Sequence, residues 1–282
     1  MASNRPPRDP VYVMGRSDDE TRRLQDRAEF FRPLTRHLIE DAGITTGMKV
    51  LDIGSGAGDV AFLVAELVGP TGVVLGVDQN PEVLRTADAR ARSGHLDHVS
   101  FIAGDIRDLA VDNDFDAVVG RLVLMYSADP AATLRAALQY VRPGGLAAFH
   151  EMNLGGLVWS EPPSALHQLM GHCVREAFAR SGVEMSMGTR LPEVFVAAGL
   201  QPPQLCADAV IGTGDEWTRR FAAAFGAGIL RSVLPVIVQH GVASETELDL
   251  DTFDERYVDE VVRLGSVVQW IPFVGAWATK AR

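Results

Sequence analysis

The 282-residue chain is 47% hydrophobic and 22% charged, the composition of a globular protein with enough apolar material for one elaborated α/β domain. Its net charge of −11 argues against a nucleic-acid substrate, which needs a basic surface. No uninterrupted apolar run reaches the length of a membrane span, the first residues carry no signal-peptide pattern, and Cys173 and Cys206 lack metal-site spacing, so a cytoplasmic protein with no membrane partner and no metal site is expected.

Residues 1 to 10, rich in proline and arginine, read as a disordered lead. Ser17-Asp18-Asp19-Glu20 has the form of a capping box, which predicts a helix to about Phe31, and Pro33 can open a second helix ending at Gly43. From Lys49 to Glu151 short β-branched runs alternate with helical patterns, as in a parallel sheet covered on both faces. Strands are expected at Val50–Ile53, Val73–Asp78, Val99–Ile106 and Phe115–Arg121, with a fifth entered through Val141-Arg142-Pro143-Gly144-Gly145. Helices are expected at Asp59–Val68, Pro81–Ser93 and Pro130–Val141. Asp52, Asp78, Asp105, Arg121 and His150 then fall at carboxyl ends of strands, the rim where such sheets bind ligands.

The first strand runs into Gly54-Ser55-Gly56-Ala57-Gly58-Asp59. Glycines there let backbone N–H groups approach a ligand. A dinucleotide fingerprint has its third glycine where this chain has Asp59, and with Asp52 the turn offers two carboxylates, which suit a cationic ligand. After Glu151 the rhythm breaks. Met152 to Pro163 reads as a loop holding Trp159, Ser164 to Arg180 as an amphipathic helix, Leu191 to Ala198 as a helix, and Gln204 to Ile211 as a strand. A second insertion holds the apolar helical stretch Trp217 to Val238 and the acidic stretch Glu245 to Glu260. Val267 to Ala278 reads as the last strand, where Pro272 implies a bulge or an edge.

Val50-Leu51-Asp52-Ile53-Gly54-Ser55-Gly56-Ala57-Gly58-Asp59-Val60, with the strand ends at Asp78, Asp105 and Arg121 following in register, resembles the class I S-adenosylmethionine-dependent methyltransferases, and within them the ubiquinone/menaquinone methyltransferase-like small-molecule group. The resemblance covers about residues 48 to 151 and implies a Rossmann-like seven-stranded, mostly parallel sheet with helices on both faces, plus N-terminal helices and a helical cap. It implies S-adenosyl-L-methionine as cofactor, with Gly54, Gly56 and Gly58 cradling its amino acid part, Asp52 and Arg121 beside them, Asp78 and Gln79 at the ribose, and Asp105 and Ile106 at the adenine. The Tyr12-x-x-Gly15-x-Ser17 segment looks similar to a lid that closes on the cofactor, so residues 1–47 form a lead and lid and residues 48–282 the methyltransferase domain, with cap insertions at about 152–190 and 212–265.

Aromatic residues concentrated in those insertions, Trp159 and Trp217 among them, suit a small apolar or aromatic acceptor methylated at oxygen or carbon, and Tyr126 is placed to orient it. His150 is the candidate general base, with Glu151 turned to the opposite strand face. The partner is a small molecule, and the sequence leaves open a homo-oligomer. Two rivals stand. A nicotinamide-dependent oxidoreductase is disfavoured because Lys49 and Lys280 are the only lysines, which removes the Tyr-x-x-x-Lys pair of short-chain dehydrogenases. A methyltransferase-like protein that binds the cofactor without transfer, inactive or of cyclase type, would keep the same three acids.

Overall fold

The alternation of short apolar runs and amphipathic segments folds into one twisted sheet with its carboxyl ends under a helical cap. The computed structural model describes residues 18–282 apart from Asn113 and Leu157, and for residues 18–26 the backbone alone. Tyr12, the proline-rich lead and the serine of the capping box lie outside the described residues.

Helix α1 spans Asp18–Asp41, followed by β1 Lys49–Ile53, α2 Asp59–Val68, β2 Val73–Asp78, α3 Pro81–Ser93, β3 Val99–Ala103, β4 Phe115–Arg121, α4 Pro130–Leu138 and β5 Val141–Met152. Next come β6 Trp159–Glu161, α5 Ala165–Arg180, α6 Met187–Ala197, β7 Gln204–Asp208, β8 Ile211–Gly212, α7 Asp215–Phe225 and α8 Ala227–Gln239. The chain ends with α9 Glu245–Leu248, α10 Phe253–Leu264, β9 Val267–Gln269 and β10 Phe273–Thr279. Local chemistry sets several starts. Asn80 accepts from the Glu82 N–H at 3.0 Å with Pro81 in the first turn of α3, and Asp129 accepts from the Ala132 N–H at 2.9 Å at the head of α4.

The main sheet has the order β3-β2-β1-β4-β5-β10-β7. The first five of these strands run parallel, and β10 is antiparallel to both β5 and β7. The direction of winding reverses between β1 and β4, which opens a crevice beyond their carboxyl ends. One buried cluster joins Val50, Val64, Val74 and Val119 under α2, and a second, larger one joins the sheet to the cap through Phe149, Phe195, Phe221 and Phe273.

Five expectations are corrected. A single helix, α1, replaces the pair around Pro33, because the proline removes one N–H donor from a helix whose Ala28, Phe31, Leu38 and Ile39 are buried along its length. The apolar stretch from Trp217 to Val238 is two helices broken at Gly226, where a Cβ would lie 2.0 Å from the Asp254 carboxylate that accepts from the Ala227 N–H at 2.7 Å. Asp215–Gln239 as a whole has the length and apolarity of a membrane span, yet Phe221, Phe225 and Leu230 along it are buried in the protein. The last strand divides into β9 and β10 around Trp270–Pro272, since proline has no N–H for the ladder. Likewise, Gln204 to Ile211 divides into β7 and β8, and Trp159, expected in a loop, forms β6; β6, β9 and β8 make a small antiparallel sheet in the cap.

Candidate active site

The chain leaves β1 through three glycines with φ of +63° at Gly54, +52° at Gly56 and +90° at Gly58. A Cβ at Gly54 would stand 2.5 Å from Val123, and one at Gly58 2.7 Å from Phe62, so these two are small because protein packs on them. At Gly56 nothing lies within 4 Å. That open side faces the crevice, where the missing Cβ lets backbone approach a ligand. Asp59 does not act as a second unpaired acid: Arg90 pairs with it at 2.7 Å, donates to the Ala57 carbonyl at 2.6 Å and lies 4.8 Å over the Phe62 ring. The two-carboxylate expectation is thereby reduced to one, Asp52.

Asp52 is 1% exposed, and neither of its carboxylate oxygens has a hydrogen-bond partner among the described residues. Burial pushes its carboxyl up to about 8, with Arg121 opposing and Asp78 reinforcing the shift. The Ala61 N–H opposes the shift only in small part, and a buried carboxyl with so little donor support is costly. Asp78, at the end of β2, accepts from the Gly56 N–H at 3.0 Å and the Asn80 N–H at 2.8 Å, which ties the glycine turn to the next strand. Asp105 accepts from the Arg107 N–H at 2.9 Å, from the Arg107 guanidinium, and from Gln79 Nε2 at 3.2 Å. Arg107 holds the Asp105 carboxyl below the usual carboxylate range.

These ends border a cavity of about 1350 Å³. Gly54, Gly56, Asp78, Gln79, Asp105 and Ile106 line one side. The cap adds Phe178, Phe225, Ile229 and Trp270, with Tyr126 and Arg121 between the two sides. Arg121 donates to Thr35 Oγ1 at 3.2 Å and lies 5.9 Å over the Phe31 ring, so α1 covers it. Asp52 and Gly58 stand behind this wall.

Three further expected contacts lie off the cavity wall. Trp217 stacks on Phe221 at 5.1 Å and 12° and fills the space beside Gly212, whose Cβ would lie 2.2 Å from its ring. Trp159 sits in the cap sheet opposite Gln269. His150 is 1% exposed, between the Thr35 hydroxyl at 3.2 Å from Nδ1 and the Phe273 ring at 4.6 Å; its Nε2 has no partner among the described residues. Burial, then Arg121, then His37 push its pKa down to about 3, which makes it a neutral ring of low basicity in this setting. Since the unfolded histidine titrates near 6.5 and the folded one does not, acid favours unfolding below that value, by about 2 kcal/mol between pH 6.5 and pH 5. Calorimetric melting of His150→Phe is expected to show a flatter fall of Tm over this range than the wild type; equal slopes would refute the buried neutral ring.

Arg27 and Glu151 were not legible as site residues. Arg27 is 4% exposed, lines the cavity and donates through Nε to the Ala224 carbonyl at 2.9 Å. Its only sequence signal is the four-residue spacing Arg27, Phe31, Thr35, a stripe of α1 that reads equally as packing. Glu151 does point away from His150, toward the turn after β4.

The model of a methyltransferase domain family matches residues 44–221. An arsenite methyltransferase of Aquipseudomonas alcaligenes is 40% identical over 119 residues, 38% of this chain and 33% of that protein. Nocamycin O-methyltransferase of Saccharothrix syringae is 30% identical over 190 residues, 66% of this chain and 65% of that one. A ubiquinone/menaquinone biosynthesis C-methyltransferase of Pseudomonas fluorescens is 35% identical over 133 residues, 46% and 49% of the two chains. The chain thus spans between a third and just under two thirds of the length of these curated relatives. Among solved structures, a SAM dependent methyltransferase from Aquifex aeolicus superposes with a TM-score of 0.51 at 16% identity, over 69% of this chain and 92% of that one, a likeness of fold.

Proposed function

We propose that this chain, which belongs to the methyltransferase domain family, transfers the methyl group of S-adenosyl-L-methionine to an oxygen or carbon of a small, largely apolar or aromatic acceptor. The observation that carries the reading is the buried Asp52 carboxyl, two residues before the glycine turn that borders the cavity, whose ionised form a cationic ligand would favour. The residues present fit the cofactor: Asp52, Arg121 and the glycine turn for its amino acid part, Asp78 and Gln79 for its ribose, Asp105 and Ile106 for its adenine. When bound, the sulfonium supplies an electrophilic methyl group.

The chain's own contribution is position and dryness. Phe178, Phe225, Ile229 and Trp270 enclose an apolar acceptor and exclude water, and Tyr126 orients it. Holding reactants at attack distance lowers a barrier by up to roughly 7 to 11 kcal/mol in ideal cases. No histidine lines the cavity among the described residues, so the reading relies on positioning more than on a dedicated imidazole base. Trivalent arsenic is a poor fit as acceptor: it favours soft thiolates, the sequence has two cysteines, neither lines the cavity, and burial pushes the Cys173 thiol up to about 11. A cytoplasmic location goes with a small-molecule reaction of this kind.

Calorimetric titration with S-adenosyl-L-methionine and, separately, NAD tests the cofactor. Binding of the sulfonium alone is expected, weakened at least tenfold, about 1.4 kcal/mol, by Asp78→Ala. Binding of NAD alone would replace the reading with an oxidoreductase. Formation of S-adenosylhomocysteine in a screen of phenols, quinols and carboxylic acids then separates transfer from cofactor binding without turnover.

A further inference from the structure

The chain leaves β4 in an unusual conformation. Leu122 has φ of +57°, a region a leucine seldom enters because its Cβ crowds the backbone. The other non-glycine residues with positive φ among those described, His95 and Asp249, stand exposed in loops; Leu122 stands in the cavity wall. Its N–H donates to the His150 carbonyl at 3.0 Å. The next three N–H groups converge on one side chain: Val123 and Leu124 donate to Glu151 Oε1 at 2.9 and 2.8 Å, and Met125 donates to Oε2 at 3.4 Å.

Glu151 is 0% exposed. Burial pushes its carboxyl up to about 7 while the three N–H groups pull the other way, and no charged side chain contributes to the shift. A buried carboxyl facing only backbone donors is a costly closure for so short a turn. Strain like that of Leu122 persists where surrounding structure over-determines it, and such places cluster at ligand sites. Both features coincide where Leu122, Val123, Met125 and Tyr126 form one wall of the cavity.

We propose that Glu151 is a positioning residue for the acceptor: its carboxyl group fixes the 122–126 turn so that Val123, Met125 and Tyr126 present a preformed wall to an apolar or aromatic molecule. It acts through the turn and touches neither acceptor nor cofactor. The acceptor role rests on the methyl-transfer reading of the same cavity; the hold on the turn does not.

The test labels the protein with 3-fluorotyrosine and follows the Tyr126 resonance beside those of the other three tyrosines, Tyr12, Tyr140 and Tyr257, with amide exchange at residues 123–125 and titration with S-adenosyl-L-methionine. Glu151→Ala is expected to shift the Tyr126 resonance alone and to speed exchange of the three amides by at least about tenfold, with cofactor affinity kept within about threefold. Glu151→Gln keeps a carbonyl acceptor and is expected to restore the resonance and most of the protection. With an acceptor from the screen, Glu151→Ala raises its KM by at least about tenfold at nearly constant kcat. A Tyr126 resonance that does not move, several tyrosines moving together, or a glutamine variant no better than alanine would overturn the assignment. Failure of the wild type to bind S-adenosyl-L-methionine would instead remove the methyl-transfer reading, and the fluorine spectra would still decide the hold on the turn.

Discussion

Asp52→Asn is expected to bind S-adenosyl-L-methionine roughly ten- to a hundredfold more weakly than the wild type, the loss of one buried counter-charge worth about 1.5 to 3 kcal/mol, and yet to melt at a higher temperature. The two effects have one origin. In the folded protein the Asp52 carboxyl titrates near 8 against 3.8 for the free side chain, so between these values the native state holds a proton that the unfolded chain releases. Wild-type stability therefore falls as pH rises through this window, and the whole penalty is present above it. Asparagine has no proton to lose. Even if its own unpartnered amide returns half of the gain, about 3 kcal/mol remains, or a rise of roughly 6 to 12 °C at pH 8. The same chemistry appears in binding. A cationic partner holds the carboxyl ionised, so at pH 7 the wild type releases close to one proton on binding, and the calorimetric heat depends on the ionisation heat of the buffer. Asp52→Asn shows no such dependence. Equal affinities, or a variant that melts lower with the same pH slope, would remove Asp52 from the cofactor site.

The sheet and its rim were legible because both rest on short-range signals. Val73–Asp78 and Phe115–Arg121 announce themselves by β-branched runs, Pro81 and Pro130 by their place just inside a helix, and the tight turn after β1 by its three closely spaced glycines. Register along such strands then carries Asp78 and Arg121 to one edge with no further information. What failed depends on partners far away in sequence. Gly226 breaks α7 from α8 because Asp254 comes to occupy its flank, and nothing near Gly226 announces Asp254. Pro33 was expected to divide α1, yet burial of a whole face outweighs one missing hydrogen bond. Asp59 reads as a free acid until Arg90, 31 residues on, pairs with it. His150 shows the limit most clearly: its place on β5 was correct to the residue, but whether it faces the crevice or the underside of α1 depends on where α1 packs.

Gly54→Ala and Gly56→Ala, two residues apart in one turn and equal in chemistry, are expected to fail in different ways. Both positions have positive φ, so both substitutions strain the backbone by about 1 kcal/mol. At Gly54 the new methyl also falls 2.5 Å from Val123, inside a packed contact between the turn and the wall that Glu151 holds. Overpacking there adds roughly 1 to 3 kcal/mol, and the melting temperature drops by about 4 to 12 °C. At Gly56 the methyl meets no protein atom within 4 Å, so folding bears only the backbone strain. It meets instead whatever occupies the crevice, and cofactor affinity is expected to fall by more than about tenfold. Thermal melting and calorimetric titration of the two variants give a two-by-two comparison in which stability loss belongs to Gly54→Ala and affinity loss, beyond what its stability explains, to Gly56→Ala. Were Gly56→Ala to bind S-adenosyl-L-methionine as the wild type does, the open side of the turn would not face the cofactor, and the placement of its amino acid part against Asp52 would have to be abandoned together with it.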